Sequence, residues 1–387
     1  MSVAGDVRRR IDRTIRIKGV TVKKAIALLS VFALLSIAAG AASGQQAASA
    51  ASDSAEVEYR SGVQLLSAGD YEDAISRLRI ATSLKPDYLD AWKELGGALT
   101  KIKDFRGGID AYGKALALAP GTASYISAIA GNYLFLENWD KAEEYYTQLT
   151  DMDSLSYDGH FNLGFISQKK DDPDRAIKQY DMALASRPND AAALERLAAL
   201  YESQGKEEKR MEYLREAVEA APGNYRLKMQ LGTAYREKKD FASAAPLFED
   251  LVKSFPDEPA YHESLGLVLS QMSARKAEAP AELEKTLELK GSDPQVSGIL
   301  ARVYNELKQY DKAIEAAQTG LDAKAGQEAL LCYEYGFALS KLKRYDEAIA
   351  MFERVVATKD ARWSDTATKE IARQERLGKI GNSKKQQ

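Results

Sequence analysis

Few residues in this chain have the chemistry to catalyse a reaction or hold a metal. There are two histidines, His160 and His262, and a single cysteine, Cys332. The stretch His262-Glu263-Ser264-Leu265-Gly266 opens like the helix of a zinc protease, where a glutamate serves as base between two histidine ligands. The second histidine, one turn on, is missing. Asp171, Asp172 and Asp174 bring three carboxylates to one turn, which suits a hard cation, but the twelve-residue ligand pattern of a calcium loop is not there. A solvated helix start accounts for them. One cysteine excludes an intrachain disulfide and a thiolate metal cage. No Gly-rich phosphate loop, nucleophile elbow or Cys/His/Asp grouping is present. Catalytic residues, metal ligands and cofactors are therefore all expected to be none.

The pattern that would position any such residues is a repeat. Leu89 to Thr122 reads as two apolar-periodic helices, with Trp92, Leu95, Gly96 and Leu99 in the first and Phe105, Gly108, Tyr112 and Ala115 in the second. Pro120 closes the unit, because a residue without N–H cannot extend a helix. The small residue Gly96 recurs as Gly62, Ala130, Gly164, Ala198, Gly232, Gly266, Ala301 and Gly336. Close approach of two helices explains it, since a larger side chain there would push them apart. A second small position reads Ala74, Gly108, Ala142, Ala176, Arg210, Ala244, Ala313 and Ala348. Four residues later comes a bulky one: Leu78, Tyr112, Tyr146, Tyr180, Leu214, Phe248, Ala317 and Phe352. His160, His262 and Cys332 all share the register of Trp92, which faces the hairpin interior, so each reads as a core residue.

This spacing resembles the tetratricopeptide repeat (TPR) family, whose 34-residue signature is W-x₂-L-G-x₂-Y…A-x₃-F…P. Leu99 stands in the tyrosine position and Gly108 in the second-helix alanine position. The resemblance implies an all-α, right-handed superhelical solenoid of about nine helix-turn-helix repeats plus a C-terminal capping helix. The units fall at 55–88, 89–122, 123–156, 157–190, 191–224, 225–258, 259–293, 294–328 and 329–362. The seventh stays in register if one residue is inserted between its helices, which restores Ala279 and Leu283 and leaves Pro280 in a helical first turn. Trp363, Ala367 and Ile371 recur every four residues, as a capping helix over 363–380 requires. The polar residues 381–387 read as a disordered tail.

Residues 1–24 hold eight Lys/Arg against Asp6 and Asp12, and the remainder carries 46 basic and 55 acidic residues, a net charge of −9. An acidic body makes a nucleic-acid partner unexpected. The basic stretch is followed by the apolar run 25–39, AIALLSVFALLSIAA, and by small residues that suit a signal peptidase. Residues 1–44 thus read as a signal peptide or, because 25–43 is 19 uncharged residues long, as a signal anchor. Either way the repeats are exported, to the periplasm or cell envelope, with 25–43 the only membrane contact if uncleaved. Residues 45–54, rich in Ala, Ser and Gln, read as a flexible linker.

In this family the first helices line a concave groove that holds peptide segments. Residues three before, one after and four after the first small position share that face. Site residues expected there are Tyr59, Lys93, Phe161, Phe165, Arg196, Arg226, Arg236, Arg302, Tyr333 and Phe337. Phe161 with Phe165 and Tyr333 with Phe337 are aromatic pairs expected to stand exposed as binding anchors. The basic residues suggest acidic segments as ligands. The family's carboxylate clamp for chaperone tails needs Lys and Asn four apart, and Lys93 is followed by Gly97, so that clamp is absent. The expected function is a non-catalytic protein-interaction scaffold of the envelope. The alternative is a small-molecule or glycan-binding component of an envelope transport or polymer-export system.

Overall fold

A computed structural model describes residues 49–323 and 327–385. The chain divides at Ser186 and Arg187 into two compact units, and among the described residues each is all-α. The first holds four hairpins: α1 (49–68) with α2 (Tyr71–Leu84), α3 (Leu89–Lys101) with α4 (Phe105–Leu118), α5 (Ala123–Phe135) with α6 (Trp139–Met152), and α7 (Tyr157–Lys169) with α8 (Pro173–Ser186). The second begins with α9 (Ala191–Ser203), α10 (Glu207–Ala220), α11 (Tyr225–Glu237), α12 (Phe241–Ser254), α13 (Pro259–Gln271) and α14 (Ala279–Lys290). It continues with α15 (Pro294–Glu306), α16 (Tyr310–Asp322), α17 (Glu328–Lys341), α18 (Tyr345–Ala357) and α19 (Ser364–Lys385). Each unit is a TPR-type solenoid in which successive hairpins pack in chain order.

One contact recurs inside the hairpins. A methyl group on Gly96 would lie 2.9 Å from the Tyr112 ring. The same holds for Gly164 against Tyr180 at 2.9 Å, Gly232 against Phe248 at 2.9 Å and Gly336 against Phe352 at 3.0 Å. Gly62 meets Leu78, and Gly266 meets Leu283, at 2.8 Å. These distances are shorter than carbon–carbon contact, so only the missing Cβ lets the bulky side chain of the second helix lie against the first. The second small position is equally tight: Ala74, Ala142, Ala176, Ala244, Ala313 and Ala348 have no exposed surface. Gly108 leaves room for a polar contact, in which the half-buried Thr100 hydroxyl donates to Oδ1 of the buried Asn132 at 3.1 Å.

The turns inside hairpins follow one scheme. Gly69, Lys103, Glu137, Asp171, Gly205, Lys239, Lys308 and Lys343 all have positive φ, between 55° and 87°. The next residue's N–H returns to a carbonyl five residues back, as in Asp104 to Leu99 at 2.9 Å and Asp240 to Tyr235 at 2.9 Å. This is the Schellman closure of a helix C-terminus. At Asp104, Asn138 and Asp240 the following helix is also capped at once, the side chain accepting from the N–H three residues on. The acidic turn belongs to this scheme: Asp171 is the left-handed residue and Asp172 accepts from the Arg175 N–H at 3.0 Å. The seventh hairpin is joined differently, through the 3-10 turn Lys276–Glu278, and α14 then starts at Ala279 with Pro280 in its first turn.

Two boundaries differ from the expectation. Residues 49–54, read as flexible linker, already belong to α1. Once the apolar-periodic stretch has formed a helix, adding each further residue costs little, so the two alanines and three serines before it continue that helix. Residues 381–385, read as a disordered tail, continue α19, which runs to Lys385 rather than stopping at 380. Backbone hydrogen bonding needs no apolar face to carry a helix on. At its start α19 covers the last hairpin: Ala367 is fully buried, and Trp363 and Ile371 pack against the cluster of Cys332, Leu339, Phe352 and Val355. The signal or anchor segment 1–44 lies outside the described residues. Among the described residues no helix is long and apolar enough to cross a membrane.

Gly164→Leu should lower stability by about 1–3 kcal/mol, because the new side chain must displace the Tyr180 ring. Denaturant unfolding of the full chain measures it, and an unchanged midpoint would refute the small-to-bulky contact as the hairpin's lock.

Candidate partner-binding faces

The first-helix positions expected to bind partners are covered more closely than the sequence suggested. Phe161 is half-buried, stacked on Tyr157 at 5.5 Å and edge-on to Tyr180 at 5.5 Å. Phe165 is half-buried against Trp139, with ring centroids 6.2 Å apart, and the Lys169 ammonium lies 5.4 Å from its centroid. Tyr333 sits between Phe352 at 5.7 Å and Trp363 at 4.8 Å, and Phe337 lies under the Lys341 ammonium at 4.8 Å. Tyr59 leans on Tyr88 at 4.9 Å. The aromatic pairs therefore do not stand free as expected. The period identifies which face they share, but neighbouring helices cover part of it, leaving rings partly open to a ligand.

The basic residues are also less available than expected. Arg226 is exposed but grips Glu195 with both guanidinium nitrogens, Nη2 lying 2.6 Å from Oε2. Arg302 donates from Nε to Glu334 Oε1 at 2.9 Å and covers the Trp363 ring. Lys93 is exposed and paired with Glu94 at 3.2 Å. Arg196 is exposed on α9 and Arg236 half-buried on α11. Because carboxylates on the same or neighbouring helices neutralise Arg226, Arg302 and Lys93, the face does not present the row of open cations that an acidic ligand would need. Arg302, Tyr333 and Trp363 do come together in the second unit. The carboxyl of Glu334 is buried there, and burial holds it above the usual carboxylate range against the pull of Arg302 and Asn305.

A residue that the repeat pattern marks as odd forms a site of its own. Arg210 replaces alanine at the second small position of its hairpin and is buried. Its guanidinium reaches Glu202 at 3.1 Å, Glu237 at 3.1 Å and Glu207 at 3.3 Å. Beside it, between α9 and α11, is a cavity of about 300 Å³ lined by Glu195, Glu202, Met229, Gln230 and Glu237. A charged side chain in an alanine position is visible in the sequence, and it was the available signal for this cavity.

The residues with catalytic chemistry serve the packing. His160 Nδ1 is 2.7 Å from Gln179 Oε1, and its Nε2 is 3.0 Å from the Ser154 carbonyl. His262 makes the same pair of contacts, to Glu282 Oε2 at 2.6 Å and to the Pro256 carbonyl at 2.9 Å. The Trp92 indole donates to the Pro86 carbonyl at 2.8 Å. In all three the ring ties its helix to a carbonyl six residues upstream, in the loop between hairpins. Cys332 is fully buried, and burial pushes its thiol up to about 11. Among the described residues no group of three or more His, Cys, Asp or Glu side chains is placed to hold a metal ion.

Family models described as tetratricopeptide repeat match residues 59–123, 168–225, 211–267, 295–326 and 329–360, together more than half of the chain. The chain belongs to the tetratricopeptide repeat family. This TPR protein is similar to "BBSome complex member BBS4" of Bos taurus, at 23% identity over 292 residues, 74% of this chain and 55% of that protein. It thus spans about half the length of the curated relative it matches. Among solved structures it is similar to a tetratricopeptide repeat protein from Parabacteroides merdae, at 15% identity and TM-score 0.45, over 65% of this chain and 99% of that one. It is also similar to pilF of Pseudomonas aeruginosa, at 19% identity and TM-score 0.44, over 55% of this chain and 97% of that one.

A thiol held near 11 leaves about one molecule in a thousand as thiolate at pH 8. Cys332 should therefore resist a thiol reagent in the native TPR protein and react at once in denaturant. Rapid native labelling, followed by absorbance of the released chromophore, would overturn its burial.

Proposed function

We propose that this TPR protein is an exported, non-catalytic scaffold of the cell envelope that docks segments of partner proteins along its first-helix faces. TPR proteins are in general protein-interaction modules, and the location is our reading of the basic, apolar and small-residue order in residues 1–44. One observation carries the docking role. The packing contacts absorb the histidines, the cysteine and the acidic turn, and what remains on the first helices is a face of half-open rings. The Phe161 and Phe165 pair is its centre in the first unit, where partly covered rings add contact area to a ligand while already ordered. With Arg226 and Arg302 neutralised, shape and apolar contact are the stronger basis for recognition, ahead of the acidic ligand charge that the sequence suggested. The bovine relative is named as a member of a complex, the kind of use proposed here.

The cavity beside Arg210 favours a second reading, a small-molecule or glycan-binding component of an envelope transport or polymer-export system. Its volume, about 300 Å³, is at the lower end of what small ligands occupy.

Affinity capture with the full chain, from envelope and cytosolic extracts separately, tests the scaffold. Phe161→Ala with Phe165→Ala should reduce the retained partner about tenfold or more in a chain that still unfolds in a cooperative transition. Equal capture by the double variant, or retention only from cytosol, would overturn the proposal. N-terminal sequencing of protein recovered from cells tests the export signal. A mature end near Gln45 supports cleavage, an intact N-terminus in the membrane fraction supports anchoring, and an intact N-terminus in the soluble fraction sinks both.

A further inference from the structure

The second-helix side of the first unit carries a cleft that the repeat does not require. Helix α4 contains three glycines. Gly107 lies beneath the capping carboxylate of Asp104, and Gly108 lies against Asn132 and Thr100, so packing explains both. Gly113 has no atom within 4 Å of where its side chain would stand. A glycine inside a helix is unfavourable, and here no neighbour demands it. In the other three hairpins of the unit the same position is Arg79, Thr147 or Asp181. The bare Gly113 opens a cleft of about 680 Å³ between α4 and α6, with Ile126 and Ile129 at its base and Leu116 and Met152 on its walls.

Two further observations concern the same surface. The second helices of the first three hairpins end on Leu84, Leu118 and Met152, all exposed, whereas the fourth ends on Ser186. Leu155, just beyond α6, is exposed as well. Among the described residues, nine of the eleven exposed large apolar side chains belong to the first unit. The charge is as uneven. Residues 49–186 carry 22 acidic and 14 basic side chains, net −8, and residues 187–387 carry 33 and 32, net −1. Within 105–156 the balance is seven to three. Lys170 neutralises Asp140 and Glu143, and Lys141 neutralises Glu144. Asp151, on the cleft wall, and Asp110, one turn before Gly113, have no ion-pair partner among the described residues.

We propose that this cleft binds a helical segment of a partner protein that is apolar on one face and flanked by Lys or Arg. An apolar stripe at i, i+3/i+4 and i+7 fills the space above Gly113 and Ile129 and covers Leu118 and Met152. Its cations meet Asp151 and Asp110 at the rim. The unit's excess negative charge speeds encounter with such a segment and disfavours acidic ones. The site lies on the opposite helices from the first-helix face and stands whether or not that face binds partners.

The test uses the full chain and a Leu/Lys amphipathic peptide of about 18 residues, five helical turns. A Leu/Glu peptide of the same pattern and a scrambled Leu/Lys peptide are the controls, read by fluorescence anisotropy. The Leu/Lys peptide should bind, about tenfold more weakly to Gly113→Trp, several-fold more weakly to Asp151→Lys and unchanged to Gly113→Ala. If Gly113→Trp fails to fold, Met152→Glu takes its place. Equal affinity for Gly113→Trp, for the Leu/Glu peptide or for the scrambled one overturns the proposal, as does no binding at all. Self-association lost in Gly113→Trp would assign the cleft to a second copy. A cross-link between Met152→Cys and residues 25–43 would assign it to this chain's own apolar segment. Either result also overturns the proposal.

Discussion

The whole array depends on one contact, a bulky side chain of a second helix seated where the first helix has no Cβ or only a methyl. Tyr112 on Gly96, Tyr180 on Gly164 and Phe248 on Gly232 are the same event at successive points in the chain. The contact sets how near two helices lie, and the next hairpin can stack only if that distance repeats. Where the chain departs from it, bulk or charge is supplied otherwise. The eighth hairpin has alanine at both positions, Ala301 and Ala317, and there Leu330 and Leu331 of α17 press against Gly298 and Gly320 instead. In the fifth, Arg210 enters the small position and is held by three carboxylates in place of apolar packing.

Because the hairpins are fixed by few residues, the remaining surface is free to differ between units, and it does. In the second unit one large apolar cluster runs from Ala244 to Ala338 beside smaller ones around Met211 and Phe352, and residues 187–387 are nearly balanced in charge. The first unit has smaller clusters, around Leu95 and around Ile126, with more apolar surface outside and most of the negative charge. A common packing rule thus supports two surfaces of different chemistry.

The small residues were the legible part of the sequence, since nine in register have no other common cause. The turns were not legible. Lysine and glutamate do not favour positive φ, yet Lys103, Glu137 and Lys239 adopt it beside the more tolerant Asp171, because the hairpin contact leaves the chain one residue in which to reverse. Periodicity placed Phe161, Phe165, Tyr333 and Phe337 on one face of their helices. It did not tell how far Tyr180, Trp139 and Trp363 would cover them, which depends on side chains outside the helix concerned. The same limit applies to Arg226 and Arg302, whose partners Glu195 and Glu334 lie about one repeat away in the chain. Residues 49–54 look like linker by composition, but the helix that forms beyond them runs back through their two alanines and three serines.

The seventh hairpin, joined through Lys276–Glu278 rather than by a single left-handed residue, differs from its neighbours in one practical respect. A Schellman closure admits one spacing and no other, whereas a looser crossing absorbs an added residue while Gly266 and Leu283 still meet. Most of these joints behave like rivets, and this one like a slotted hole. Lineages that gained or lost a loop here would keep every other hairpin undisturbed, so length variation among relatives should gather between Met272 and Ala279.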